Sequence, residues 1–362
     1  MTQESATCPQ CQAPTKLLYA KLQDKLFGAL GAWDLHQCTQ AECGLASLQP
    51  PPSAAEIMQA YENYHTHQED SPSSGILAEL WYHLRMHYHA RKFGYQSAGA
   101  QPASALIDGA GRALSYLIAL LPGHRADLDA GVFYLAAPAD SGQASLLEVG
   151  CGSGKILKYL ANLGWQVTGT DFDEAAVAQA ERRGMKVHLG PLAEQDFGDQ
   201  RFDAIVLKHV IEHVPEPLEE MKLCRALLKP TGKLIVLTPN FAGRGHKRWA
   251  QQWRGLEPPR HLQIYTPAAL ERLLVEAGFG AINVTTTGRA RSASIASLNA
   301  ERASAGNTEL PTPLGTLWGE FDEWLEAIAV WRDPLAGNEL LAIAQPGGKP
   351  GDRQDANREH YA

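Results

Sequence analysis

The run Leu146-Leu147-Glu148-Val149-Gly150-Cys151-Gly152-Ser153-Gly154 limits what this chain can fold into more than any other segment. It puts three glycines directly after a buried strand and directly before a helix, Gly154–Leu163. Such a turn lets backbone N–H groups and a helix N-terminus approach a ligand closely. Asp171 lies seventeen residues after Gly154, at the end of the next strand, where a carboxylate can accept both hydroxyls of a ribose. Together the two features read as a site for a nucleoside cofactor.

A dinucleotide enzyme also combines a glycine turn with an acidic residue on its second strand, but the spacing here is Gly-x-Gly-x-Gly and not Gly-x-Gly-x-x-Gly. A phosphate-binding Walker loop is excluded, because Gly154-Lys155 has no glycine five residues earlier and is followed by Ile156 where Ser or Thr should ligate magnesium. Taken alone, the turn is also compatible with a tight strand-to-helix connection that binds nothing.

The rest of the chain extends the pattern. Apolar runs at Leu146–Val149, Gln166–Thr170, Lys186–His188, Ala204–Lys208 and Leu234–Thr238 alternate with helical stretches at Glu174–Arg183, Pro217–Leu228 and Pro267–Ala277. That alternation is the signature of parallel strands with crossover helices. Ile282–Thr287 reads as a further strand, and Glu339–Ala344 as the last, entering antiparallel after the aromatic helix Leu314–Trp331. Upstream, Pro50-Pro51-Pro52 marks a boundary, followed by helices over Ala54–Tyr64, Ile76–Tyr95 and Ala113–Leu121. The chain divides into a cysteine-rich unit at 1–50, a helical segment at 51–140, an α/β domain at 141–346 with inserts at 241–262 and 289–333, and a tail at 347–362 expected to be disordered. Arg289–Leu310, rich in Ala and Ser, reads as a mobile excursion.

A net charge of −8 argues against nucleic acid as the main partner, since phosphate-neutralising chains carry a basic face. Neither a secretory signal nor a spanning segment is evident, so a cytoplasmic protein with no membrane partner is expected. No oligomeric state is specified.

Beyond the glycine turn, Phe202–Val214, Leu227–Asn240, Pro259–Thr266 and Glu276–Phe279 resemble the class I S-adenosylmethionine-dependent methyltransferase superfamily in order and spacing, over roughly Ser145–Val284. The resemblance implies an α/β fold, a seven-stranded Rossmann-like sheet with helices on both faces, preceded here by a small zinc ribbon and a helical segment. It implies S-adenosylmethionine as cofactor, held by the turn Glu148–Gly154. Gly150 and Gly152 would approach its methionine part, Asp171 the ribose, Leu192 and Ala193 the adenine, and Lys208 and His209 the sulfonium. A small-molecule acceptor follows from the same resemblance.

Methyl transfer from a sulfonium is an in-line displacement in which a base is needed only if the acceptor is protonated. His209, His213 and His261 are the candidates, having a suitable pKa, and each can equally be a histidine that anchors a cap or loop. Trp249, Trp253 and Arg254, followed by the rigid Pro258-Pro259, form a lid expected to present Arg260 and His261 inward. On helix Ile76–Tyr95, His83 and His87 stand at i, i+4, the spacing of a helical metal pair, with no third ligand evident beside them. Aromatic packing or a substrate-facing wall is the better reading of that stretch.

Cys8-Pro9-Gln10-Cys11 and Cys38-x₄-Cys43 give two ligand pairs, the pattern of a structural tetrahedral Zn²⁺ site. The unit is similar to the zinc-binding domain that precedes the catalytic domain in some sugar C-methyltransferases, which points to a sugar or glycan-precursor acceptor. The second pair is wider than usual, which leaves His36 as a substitute ligand. Two other classes remain open: a nicotinamide-dependent oxidoreductase, and a zinc-ribbon adaptor carrying an inactive methyltransferase-like domain.

Overall fold

The computed structural model describes residues 6–25, 27–62, 75–96, 105–138, 143–304 and 312–347. The N-terminal unit contributes β1 (Thr15–Leu22), β2 (Trp33–Cys38) and β3 (Ala46–Leu48). Helices α1 (Ala54–Glu62), α2 (Ile76–Phe93), α3 (Ala105–Ile118) and α4 (Pro122–Ala130) follow. Gly94 stops α2 in the left-handed conformation. The helix read over Ala113–Leu121 is the latter part of α3, which ends at Ile118; Pro122 then opens α4, where its missing N–H costs nothing.

The α/β part alternates β4 (Ser145–Val149), α5 (Lys155–Asn162), β5 (Gln166–Asp171), α6 (Glu174–Arg182), β6 (Val187–Leu189), β7 (Phe202–Lys208), α7 (Pro217–Leu227) and β8 (Leu228–Pro239). After α8 (Arg244–Trp249) and the short β9 (Gln263–Ile264) come α9 (Pro267–Glu276), β10 (Phe279–Thr287), α10 (Arg291–Ser304), α11 (Thr312–Arg332) and β11 (Glu339–Pro346). Seven strands form one sheet in the order β10-β11-β8-β7-β4-β5-β6, with β11 antiparallel to both of its neighbours.

Helices cover both faces because successive strand residues point opposite ways and both sets are apolar. Leu147, Val149, Ile205, Leu207, Leu234 and Val236 pack on one side with Met221 and Cys224 of α7 and with Leu270, Leu273 and Leu274 of α9. Leu146, Ala204, Val206, Ile235 and Leu237 pack on the other with Leu157 and Leu160 of α5. The chain runs outward from β4 through β5 to β6, and in the other direction from β7 to β8. The switch point between β4 and β7 is where an open sheet of this kind leaves a crevice at its strand ends.

Three expectations change. The first 50 residues do not stand apart: β3 pairs antiparallel with β9, extending the N-terminal sheet to the order β1-β2-β3-β9. Thr266 Oγ1 also donates to the Cys43 carbonyl, and Gln10 Nε2 donates to the Ala269 carbonyl at 2.8 Å. The segment expected as a mobile excursion contains α10, whose small Ser294, Ser297 and Ala300 are buried; Ser294 Oγ donates to Asp322 Oδ2 of α11 at 2.5 Å. Small side chains that look like loop composition are here what lets two helices approach. Residues 305–310 of that excursion and 348–362 of the expected tail lie outside the described residues. The third change concerns the lid, treated with the site. No single helix among the described residues is long and apolar enough to cross a membrane.

Candidate active site

The strand register brings the site together. Val149 lies opposite Thr170 and Leu207, and Leu207 opposite Val236, so Gly150, Asp171 and Lys208 reach the same edge of the sheet. Gly150 has φ 69°, and a Cβ there would meet Val210 Cγ2 at 2.5 Å, which makes glycine the residue that fits. Asp171 fastens the turn: Oδ2 accepts the Gly152 N–H at 2.7 Å and Oδ1 accepts the Asp173 N–H at 3.0 Å. These two bonds fix the orientation of the carboxylate at the edge of the sheet.

A cleft of about 1860 Å³ opens above these strand ends. Gly150, Gly152, Asp171, Leu192, Ala193, Lys208, His209, His213 and His261 all line it. Glu148 and Gly154 do not line it. Glu148 is buried beneath the turn, where burial chiefly, opposed by Lys208 and assisted by Asp171, lifts its carboxyl to about 8. Gly154 starts α5 and packs against Ala180 of α6. Phe172 and Tyr61 were not foreseen: the Tyr61 ring on α1 meets Phe172 edge-on at 5.0 Å, and both line the cleft together with Leu192 and Ala193.

His209 is held between two carboxylates. Its Nδ1 lies 3.3 Å from Glu212 Oε1 and its Nε2 lies 2.9 Å from Glu339 Oε1. Burial alone would lower its pKa, but the hydrogen bonds and charges of Glu212 and Glu339 more than reverse this and raise it to about 9. In its protonated form the ring donates to both carboxylates and has no lone pair with which to take a proton. Glu339 reaches the site because β11 runs antiparallel, so its first residue lies at the strand ends of the others. Nothing in a local motif signals that.

His213 and His261 are of the opposite kind. His213 Nδ1 lies 2.9 Å from the Arg260 carbonyl and 3.1 Å from Tyr61 Oη, and His261 Nδ1 lies 2.8 Å from the Gly255 carbonyl. A carbonyl partner requires N–H at Nδ1, which leaves each Nε2 with its lone pair. The rings meet edge-on at 4.7 Å. Burial lowers both pKa values, that of His261 to about 3 with the help of His213, and His261 Nε2 lies 3.8 Å from Glu257 Oε2. Together with Glu212 the two histidines place one ligand atom each within 4.8 Å, an arrangement that also suits a cation.

The lid differs from expectation at Arg260. Its guanidinium points away from the cleft into a closed cage, donating to Asp24 Oδ2 at 2.5 Å, Glu257 Oε1 at 3.1 Å and the Ala60 carbonyl at 2.8 Å, with the Phe27 ring at 4.8 Å. It ties the lid to the N-terminal unit. Arg254 also pairs with Glu257. Trp253 and His261 do face the cleft, whereas Trp249 packs in the core beneath the lid. Arg289 and Arg291, from the second insert, add cationic groups to the far wall.

The four N-terminal cysteines converge as expected. Cys8 Sγ lies 3.9 Å from Cys43 Sγ, Cys11 Sγ lies 3.4 Å from Cys38 Sγ, and all four sulfurs are within 4.8 Å of one another. A tetrahedron with Zn–S bonds of about 2.3 Å has an edge of about 3.8 Å, so the donor set fits Zn²⁺. The Cys43 thiol holds Cys8 down to about 5, and Cys43 itself is pushed upward by the same partner. His36 does not join them; its Nδ1 lies 3.3 Å from Thr15 Oγ1.

With strand order, glycine turn and acidic strand end in place, residues 124–284 match the family model described as a methyltransferase domain. Among curated relatives, the ubiquinone biosynthesis O-methyltransferase of Histophilus somni is 34% identical over 126 residues, 32% of this chain and 52% of that protein. The protein of the same name from Cereibacter sphaeroides is 29% identical over 161 residues, 41% of this chain and 65% of that protein. The chain thus spans about half to two thirds of the length of these relatives. A solved structure from Thermotoga maritima, described as a SAM-dependent methyltransferase and possible histamine N-methyltransferase, has a TM-score of 0.41 at 15% identity, covering 65% of this chain and 94% of that one.

Proposed function

We propose that this protein transfers a methyl group from S-adenosylmethionine to a small-molecule acceptor bound in the same cleft. One observation carries the reading. The cradle formed by Gly150, Gly152 and Asp171 opens into a cavity of about 1860 Å³, larger than the roughly 300–1,000 Å³ of a single-ligand pocket, so cofactor and acceptor have room side by side.

In this reading Asp171 accepts the ribose hydroxyls, Phe172, Leu192 and Ala193 flank the adenine, and Gly150 and Gly152 lie along the methionine part. The bound cofactor supplies an activated methyl on a sulfonium. The protein aligns the acceptor and excludes water, with Tyr61 and Trp253 as walls. His213 and His261 form the polar end. Their Nε2 atoms accept a hydrogen bond from the acceptor's O–H or N–H, aim its lone pair at the methyl, and receive the proton as the new bond forms.

The acceptor is a polar, hydroxyl-bearing molecule of the sugar or glycan-precursor class, supported by the histidine pair and by the cysteine unit's similarity to that of sugar methyltransferases. The relatives named as ubiquinone biosynthesis O-methyltransferases make an oxygen acceptor on a ubiquinone-biosynthesis intermediate the alternative to test. The tetracysteine unit binds one structural Zn²⁺. The unpaired thiols suit a reducing, cytoplasmic setting, and the charge of −8 speaks against a nucleic-acid acceptor.

Transfer of a labelled methyl from S-adenosylmethionine into a metabolite pool, with the product identified by mass, tests the reading. Labelled sugar or sugar nucleotide is expected. Failure to bind S-adenosylmethionine, or release of a nicotinamide nucleotide from the purified protein, would overturn it.

A further inference from the structure

Helix α2 turns His83 and His87, one helical turn apart, toward α3. Between them, from the first turn of α3, comes Asp108, the third group that the sequence alone did not supply. His83 Nδ1 lies 2.9 Å and His87 Nε2 lies 3.0 Å from the same carboxylate oxygen, Oδ1. One ligand atom from each residue falls within 4.8 Å of the other two.

The backbone is built for this approach. Gly111, one turn after Asp108, sits so close to α2 that an added Cβ would lie 2.7 Å from His83 Cβ and 2.9 Å from the Leu84 nitrogen. Further along, Arg91 donates to Ser115 Oγ and to the Ser115 carbonyl at 3.0 Å each, fixing the same register. Arg85, the cation that lies between the two histidines in sequence, is turned away over the Tyr159 ring at 3.7 Å.

The exposures are graded: 9% for His83, 29% for His87 and 49% for Asp108. The cluster is therefore closed beneath and open to water on one side. Two imidazole nitrogens at i, i+4 with one carboxylate form a three-ligand donor set whose fourth tetrahedral position goes to water. As bare ion pairs around a half-exposed carboxylate these groups would add little. The α2–α3 pair has a thin core: among the described residues, Leu84 and Tyr88 of α2 are buried with Leu128 of α4, Phe93, Leu114 and Ile118 are partly buried against them, and Ile76, Leu77, Leu106 and Leu117 stay exposed. Small helical units with thin cores commonly rely on such a staple.

We propose that His83, His87 and Asp108 bind a divalent metal ion of the zinc class, with one position open to water, and that the ion fastens α2 to α3. None of the three lines the cleft, and none belongs to the tetracysteine group, so the site is separate from both.

The test is equilibrium dialysis of the full chain against micromolar Zn²⁺, with metal per chain counted for wild type, Asp108→Asn and the double variant His83→Asn/His87→Asn. Each variant is expected to hold one zinc fewer than wild type, the tetracysteine zinc being retained in all three. Loading with Co²⁺ should give a wild-type-minus-variant spectrum with visible ligand-field bands and no thiolate charge-transfer band. If the double variant does not fold, Asp108→Asn decides alone, since its amide oxygen can still accept a hydrogen bond from an imidazole. Equal zinc content in wild type and folded Asp108→Asn would overturn the proposal.

Discussion

His209, at the end of β7, and Glu339, at the start of β11, meet across β8 with Nε2 and Oε1 2.9 Å apart. Glu212 holds the other ring nitrogen, and its own second oxygen accepts the Thr238 hydroxyl at 2.9 Å. The result is a cation between two anions in the floor of the cleft, in a residue whose φ is 54°.

That arrangement has a pH signature. The folded pKa of His209, about 9, lies above its unfolded value of about 6.5, so its contribution to stability is complete below about pH 6.5 and is lost as pH rises through about 9. Glu212, lowered to about 2 because His209 overcomes the opposing effect of burial, acts in the other direction: its contribution is present above about 4.5 and fades as pH falls toward 2. His209→Asn keeps a residue tolerant of positive φ and removes the charge. Its melting temperature should fall clearly below that of wild type near pH 6, and the two should converge by about pH 10. A gap that does not change with pH would refute a charged His209.

Asp171→Ala removes the acceptor of the Gly152 and Asp173 N–H groups as well as the acceptor proposed for the ribose. Hydrogen bonds to a charged acceptor are worth about 1.5–3 kcal/mol each, so calorimetry should show S-adenosylmethionine affinity weakened by more than tenfold. Unchanged affinity in a folded variant would exclude Asp171 from the cofactor site.

Arg260→Ala takes the guanidinium from the buried Asp24 and leaves the buried Glu257 with Arg254 alone. Breaking one side of such a pair costs about 3–5 kcal/mol, and a large drop in denaturation midpoint is expected. A variant as stable as wild type would show that the cage contributes little.

His261→Ala separates two roles once an acceptor is in hand. Loss of a positioned proton acceptor should lower turnover about a hundredfold with cofactor affinity kept, whereas loss of an orienting hydrogen bond alone costs about tenfold. His261→Asn should restore the second and not the first. Full activity in both variants would clear His261 of either role and leave His213.

Removal of zinc from the cysteine unit should be felt beyond residue 50. Because β3 pairs with β9 and Thr266 binds the Cys43 carbonyl, Cys11→Ser should speed amide hydrogen exchange across 254–266 as well as across 6–48. Exchange that changes only in the first 50 residues would show the two parts to be energetically independent.

The sequence by itself determined whatever depends on near neighbours. Three closely spaced glycines after an apolar run dictate a tight turn, short continuous apolar runs alternating with helical stretches dictate a covered parallel sheet, and paired cysteines dictate convergence of four thiols. Tertiary structure decided what depends on distant groups meeting. Asp108 completes the α2 histidines only because Gly111 lets α3 approach, and Arg260 turns inward to Asp24, more than two hundred residues earlier, instead of toward the acceptor. His209 titrates as a cation because an antiparallel strand entering near the C-terminus delivers Glu339 beside it. A side chain's charge state is set by its neighbours in space, and no local spacing records who they are.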